Sequence, residues 1–233
     1  MSVTRAVPGF LPSTSGLHFP NHFARVPVRY LGVPGLVRIP IGDASNGMCG
    51  GMAFAALDYF EAERPPPADD TVPDAGPLFE YISRRLFDSF DLPGGPVRYL
   101  DLMNPALSDG DGWLARLGLA PHGRAWRMIV QEWPKIRADI DSGRPSPLGV
   151  VRIKSFNPFD LKHDHQVLAY GYTVDGEELT LRIYDPNWPD RDDVTISLDV
   201  RDPLRPTTVA YSPGDGPVYA FFRVGYRRSV PPA

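Results

Sequence analysis

The sequence predicts an α+β fold in which a helical first half packs on an antiparallel sheet supplied by the second half. Three observations predict it. Apolar residues recur at helical spacing in two early segments, and the later segments alternate with the period of two that strands require. Between two of those later runs stands Asp175-Gly176, a strong hairpin signal.

In chain order, residues 1–47 mix Pro, Gly and short apolar runs (VRYLGV, LVRIPIG), which reads as extended segments and turns with no helix. From Cys49 the apolar positions Met52, Ala53, Ala56, Leu57 and Phe60 form the stripe of a core-packed helix. The proline triplet and acids of residues 61–76 end it in a surface loop. Residues 77–91 start with a proline and carry Leu78, Phe79, Ile82, Leu86 and Phe90 at helical spacing, a second helix. The stretch from 92 to 123 is mixed. Within it, Ser108 to Gly112 resembles part of a calcium loop but lacks the later ligands and the closing Glu, so it reads as a turn. Pro134 precedes a helix carrying Ile136 and Ile140 that Gly143 is placed to end, and Leu148 to Ile153 reads as a buried strand. Strands then follow over 165–174, 179–185, 193–200 and 218–226. The expected organisation is one domain over 1–233: an extended segment 1–47, a helical part 48–145, an antiparallel sheet 146–226 and a tail 227–233.

Composition removes several function classes. The net charge of −4 and the lack of any Lys/Arg run argue against a phosphate-backbone partner, so nucleic acid is not expected. No stretch reaches the roughly 18 apolar residues of a membrane span, and the N-terminus lacks a signal-peptide apolar core, so a cytoplasmic protein is expected. The sequence sets no oligomeric state. A single cysteine excludes a disulfide framework and any multi-cysteine zinc site.

That cysteine, Cys49 in NGMCGGMAFAALDYF, lies where the first turn of a helix should begin. Free N–H groups and the macrodipole there stabilise a thiolate, the nucleophilic form of the side chain. Gly50 and Gly51 cost about 1 kcal/mol each relative to alanine within a helix, which makes sense where a substrate or a strand approaches the backbone closely. A thiol nucleophile needs a base. Of the five histidines, His163 and His165 in LKHDHQVLAYGY stand at the entrance of an apolar strand, and His165 adjoins it directly. The following hairpin returns in RIYDPNWP, delivering Asp185 and Asn187. Counted from the Asp175-Gly176 turn, residue 165 pairs with residue 185 or 186, so Asp185 is placed to orient the His165 ring.

A glycine-flanked cysteine opening the main helix, a His at a strand start (HQVLAYGY) and an Asp-Pro after the next strand (YDPN) resemble the papain-like cysteine peptidase superfamily. Within it they are most similar to the peptidases that cut double-glycine leaders from bacteriocin precursors. The resemblance covers Asn46–Phe60 and His165–Trp188. It implies a papain-like fold, Cys49 as nucleophile, His165 as base and Asp185 as the orienting acid, with a peptide or amide substrate and no cofactor. It also implies a Gln about six residues before the cysteine as oxyanion donor. Position 43 here is Asp, whose carboxylate would repel a developing oxyanion unless protonated, which leaves Asn46 and the Cys49 backbone N–H as donors.

The alternatives differ in chemistry. An amine or alcohol that intercepts the acyl-thioester makes the protein an acyltransferase or amide-forming biosynthetic enzyme, with a carrier-bound acyl group as one substrate. A papain-fold module without catalysis would bind a peptide or partner, as Asp43 hints. His163, His165, Cys49 and Asp185 also suit zinc, although the acyl-transfer arrangement is simpler. Taken singly, Cys49 reads as a core residue, His165 equally as a base or as a satisfied core histidine, and Asp185 as a turn residue. Trp188, like Trp126 and Trp133, lines a cleft or merely packs.

Overall fold

The computed structural model describes residues 2–31 and 39–232. The runs VRYLGV and LVRIPIG fall partly on residues 32–38, outside the described residues. The architecture is mixed α+β, built on an antiparallel seven-stranded sheet. Its strands are β1 (Ser2–Ala6), β4 (Ser146–Val151), β5 (His165–Asp175), β6 (Glu178–Tyr184), β7 (Thr195–Asp199), β8 (Ala210–Tyr211) and β9 (Ala220–Arg223); β2 (Arg29–Leu31) and β3 (Ile39–Ile41) make a separate ladder. The order is β8-β7-β6-β5-β4-β9. β1 shares the β4 side of β5, pairing residues 171–175 where β4 pairs residues 165–169. β5 is therefore central, and its first eight residues are all buried, as a near-continuous apolar run should be.

The helices are α1 (Pro12–Ser15), α2 (Cys49–Glu61), α3 (Gly76–Ser89), α4 (Gly94–Met103), α5 (Trp113–Arg116), α6 (Arg124–Trp126) and α7 (Trp133–Asp141). α2 packs on β5 and α3, with Gly50 through Tyr59 all buried. One core joins α2, α4 and α7 to the sheet. A second, around Leu17, Phe19, Met48, Met52, Phe79 and Ile82, glues the N-terminal segment to α2 and α3.

The glycines at the head of α2 are packing devices. A Cβ on Gly50 would stand 2.2 Å from Ser89 Oγ and 2.4 Å from Gln166 Oε1, so the close approach is made by α3 and by β5. Further along α2 the buried Asp58 carboxylate accepts from Arg85 Nε at 2.6 Å, Tyr81 at 2.8 Å, Tyr226 at 2.7 Å and the Ser229 amide at 2.8 Å. The 226–232 tail is thereby strapped across α2, and Arg64, just past that helix, donates to the Pro232 carbonyl at 2.8 Å.

Several expectations need correction. The N-terminal region contains α1 and strand β1, because residues 2–6 find an open edge on β5. The mixed stretch forms α4 and α5. Helix also begins earlier than Pro134: backbone turns run from Arg124 through a π-helical stretch at Arg127–Glu132 into α7, and that wider turn accommodates a proline that cannot donate. The hairpin turn lies one residue later, on Gly176-Glu177, with Asp175 paired to Glu178 and Gly176 at φ +59°. A bulge between Ala169 and Gly171 shifts the register again, and the β5–β6 ladder ends at Leu168–Tyr184, so His165 has no ladder partner at 185 or 186. It pairs on the other side with Val150. The acids of residues 108–112 are taken up by other side chains: Asp109 by Arg124 and Lys154, Asp111 by the His122 ring at 2.5 Å.

Candidate active site

Cys49 opens α2 as its first residue and is half-buried. The first-turn amides of a helix have no intrahelical acceptors, so N–H groups gather at this end. Just before it, the Met48 amide donates to Asn21 Oδ1 at 2.6 Å. Asn21 in turn donates from Nδ2 to Asn187 Oδ1 at 3.2 Å, and its own amide bonds the Pro186 carbonyl at 3.0 Å. One side chain thus joins the head of α2 to the turn after β6.

That turn carries Asp185, which is fully buried. Its Oδ1 accepts from His165 Nε2 at 2.7 Å and from the Asn187 amide at 2.8 Å, while Oδ2 accepts from the Tyr211 hydroxyl. Burial alone would raise its pKa. The His165 charge and hydrogen bond, with the Tyr211 hydroxyl and the Asn187 amide, outweigh that and hold it below the usual carboxylate value.

His165 is only 6 % exposed. Burial disfavours its charged form, but the Asp185 charge, the neighbouring Cys49 side chain and the hydrogen bond to Asp185 raise its pKa to about 10. With Nε2 committed to Asp185, Nδ1 is the nitrogen left for the sulfur. Tyr99 fixes the strand end by donating to the His165 carbonyl at 3.0 Å.

Cys49 also lines a cavity of about 460 Å³. Asp43 and Asn46 share its wall, but the Asp43 carboxylate is held by the Ser45 hydroxyl at 2.7 Å, the Ser45 amide at 3.0 Å and Arg25 at 3.3 Å. Those bonds, the Ser45 hydroxyl first, lower its pKa, so the group stays a carboxylate. Asn46 is exposed on the 3₁₀ turn Ala44–Asn46. Neither makes a hydrogen bond or ion pair with His165 or Asp185 among the described residues.

Of the remaining sequence candidates, Asn187 is drawn in through its amide and its link to Asn21. Trp188 packs against the core with Arg191 over its ring at 5.6 Å. His163 lies exposed on a 3₁₀ turn, Pro158–His163, and does not join the others. Among the described residues no group of three or more His, Cys, Asp and Glu is arranged to hold a metal ion. No helix among them is long and apolar enough to cross a membrane. Asn21, Tyr211, Tyr99 and the half-buried Asp164 escaped the sequence reading. Asp164 Oδ1 accepts from the Arg152 amide at 2.9 Å, and burial, only partly offset by the Arg152 and Ile153 amides, raises its pKa to about 7. No protein-family model, curated protein or solved structure matches the chain.

Proposed function

We propose that the chain is a papain-like thiol hydrolase, a cysteine peptidase or amidase that works through an acyl-thioester on Cys49. The observation that carries the reading is the buried His165–Asp185 bond, with the Cys49 side chain, at a helix head, beside the same imidazole. In the proposed cycle, Cys49 sulfur attacks the acyl carbon and His165 protonates the departing amine. His165 then takes a proton from the water that cleaves the thioester. Asp185 keeps the ring in one tautomer and stabilises its charge. The backbone N–H groups at the start of α2 are the nearest donors for the oxyanion.

An amine or alcohol in place of water would make the same machinery an acyltransferase. A second reading, a papain-fold module that binds a peptide or partner without turnover, is favoured by one observation: the Asp43 carboxylate lines the wall beside Cys49, where a developing oxyanion needs donors.

Iodoacetamide labelling of Cys49 separates these readings. An activated pair labels rapidly at neutral pH, and the rate falls at least tenfold in His165→Ala. Protection until denaturant is added would remove the hydrolase reading, as would turnover that survives Cys49→Ala.

A further inference from the structure

The cavity beside Cys49 is walled by Val28, Leu86, Phe87, Phe90, Leu92 and Leu161, with the Tyr99 ring. Its 460 Å³ lies within the range of small-molecule sites. Leu86 and Phe87 of the wall belong to α3 and Pro96 and Tyr99 to α4, and a helix presents no strand edge to an extended peptide main chain. Two acceptors there have no hydrogen-bond partner, Asp164 Oδ2 and Gln166 Oε1. Each has less than 1 Å² exposed, so neither is offered to a ligand. The polar side chains Asp43, Asn46 and Lys162 also line the cavity and are partly or fully exposed.

Apolar side chains are also exposed on the segments that supply the wall. Leu92 is 72 % exposed, and Val97, which follows the lining residue Pro96, is 63 % exposed. Phe156 and Phe159, on the segment leading to Leu161, are 73 % and 81 % exposed. α4 touches the 3₁₀ turn that carries Phe159 and Leu161, so these side chains come from neighbouring elements. Large apolar side chains left in water around a cleft mark a surface that binds something apolar.

We infer that the acyl group carried on Cys49 is an aliphatic chain, held in this cavity and entering over Leu92. The inference rests on the thiol-hydrolase reading and narrows its substrate class. An aliphatic chain has no main-chain polar groups to satisfy, which suits a helix-lined, apolar space better than a peptide strand does. In the covalent step Cys49 sulfur bonds to the acyl carbon, and the bond from that carbon to the leaving nitrogen, oxygen or sulfur breaks. The leaving group departs with the bonding pair and the His165 proton when it is basic. Water then adds to the acyl carbon, giving up a proton through His165, and releases the carboxylic acid and the Cys49 thiol.

The test uses p-nitrophenyl esters from acetyl to dodecanoyl, with burst amplitude and kcat/KM measured for wild type, Cys49→Ala and Leu92→Asp. Here p-nitrophenolate leaves as the anion. A Cys49-dependent burst is expected, with kcat/KM rising about fourfold per methylene until the cavity is filled. Leu92→Asp, a change at an exposed position, should lower octanoyl turnover at least tenfold and bring the series close to flat. A Cys49-dependent burst with equal rates at every chain length overturns the aliphatic assignment alone. No Cys49-dependent release of p-nitrophenolate from any ester, or equal rates in Cys49→Ala, overturns the hydrolase reading and the acyl assignment with it.

Discussion

Gly51 and Ile82 leave no room for a side chain between them: a Cβ on Gly51 would stand 2.2 Å from the Ile82 carbonyl oxygen and 3.0 Å from the Leu86 amide nitrogen. The obstacle is helix backbone, so α3 would have to move away from the head of α2. Gly51→Ala is therefore expected to lower stability by about 1–3 kcal/mol despite its better helix propensity. Gly94→Ala, where the added methyl meets open space, should be neutral or stabilising. Urea melts of the two variants give the comparison, and equal midpoints would contradict this packing.

Tyr211 is the only hydroxyl that meets Asp185 Oδ2 among the described residues. Tyr211→Phe leaves a buried carboxylate oxygen without a donor, at a cost of about 1–3 kcal/mol. Because that bond helps hold the Asp185 pKa down, its loss raises it, and the acid limb of the pH–rate profile moves to higher pH. An unshifted limb in Tyr211→Phe would show that the hydroxyl does not tune the pair.

Asp164 gives a pH dependence of the opposite sign. Its folded pKa of about 7 lies above the ordinary carboxylate value of 3.8, so the folded state holds a proton that the unfolded chain releases. Its contribution to stability is fully present below pH 3.8 and is lost as pH rises through 7. Asp164→Asn can keep the acceptor for the Arg152 amide and carries no charge. The variant should exceed wild type by about 1–3 kcal/mol at pH 8 and lose most of that advantage at pH 5. Denaturant unfolding at the two pH values decides it.

Asp58 tests the strap across α2. Arg85 is 3 % exposed and depends on this carboxylate, and Tyr81, Tyr226 and the Ser229 amide converge on it as well. Asp58→Ala leaves the guanidinium buried beside uncompensated donors and should cost about 3–5 kcal/mol. A loss below about 1 kcal/mol in thermal unfolding would mean the network is not intact.

Much of the architecture is legible residue by residue, and the failures have definite causes. The Cys49–Phe60 stripe and the alternating runs after residue 165 bury faces of fixed period, so periodicity reports them. β1 has no such signature: Ser2–Ala6 is exposed throughout and is a strand only because β5 offers a free edge beside β4. The neighbourhood of His165 and Asp185 is legible from the hairpin, but its register is not. The turn begins at Gly176 and the bulge sits at Ala169–Gly171, so the two meet through side-chain reach rather than as ladder partners. Asn21 and Tyr211 carry no local signal, since each acts on a group far along the chain, Met48 for one and Asp185 for the other. Gly50 and Gly51 mark a close approach in the sequence. Only the fold says that helix α3 and Gln166 are what approach.

The strap over α2 also has a consequence in time. The Ser229 amide that bonds Asp58 lies 171 residues further along the chain, so the cysteine-bearing helix is made long before the segment that completes its buried charge network. At ribosomal rates the interval is roughly 10–35 s. Throughout it, Asp58 and Arg85 lack the amide and the Tyr226 hydroxyl that later enclose them. The nascent chain therefore carries its thiol on an unfinished scaffold, and reactivity at Cys49 should emerge late, when the tail has left the ribosome and closed over the helix.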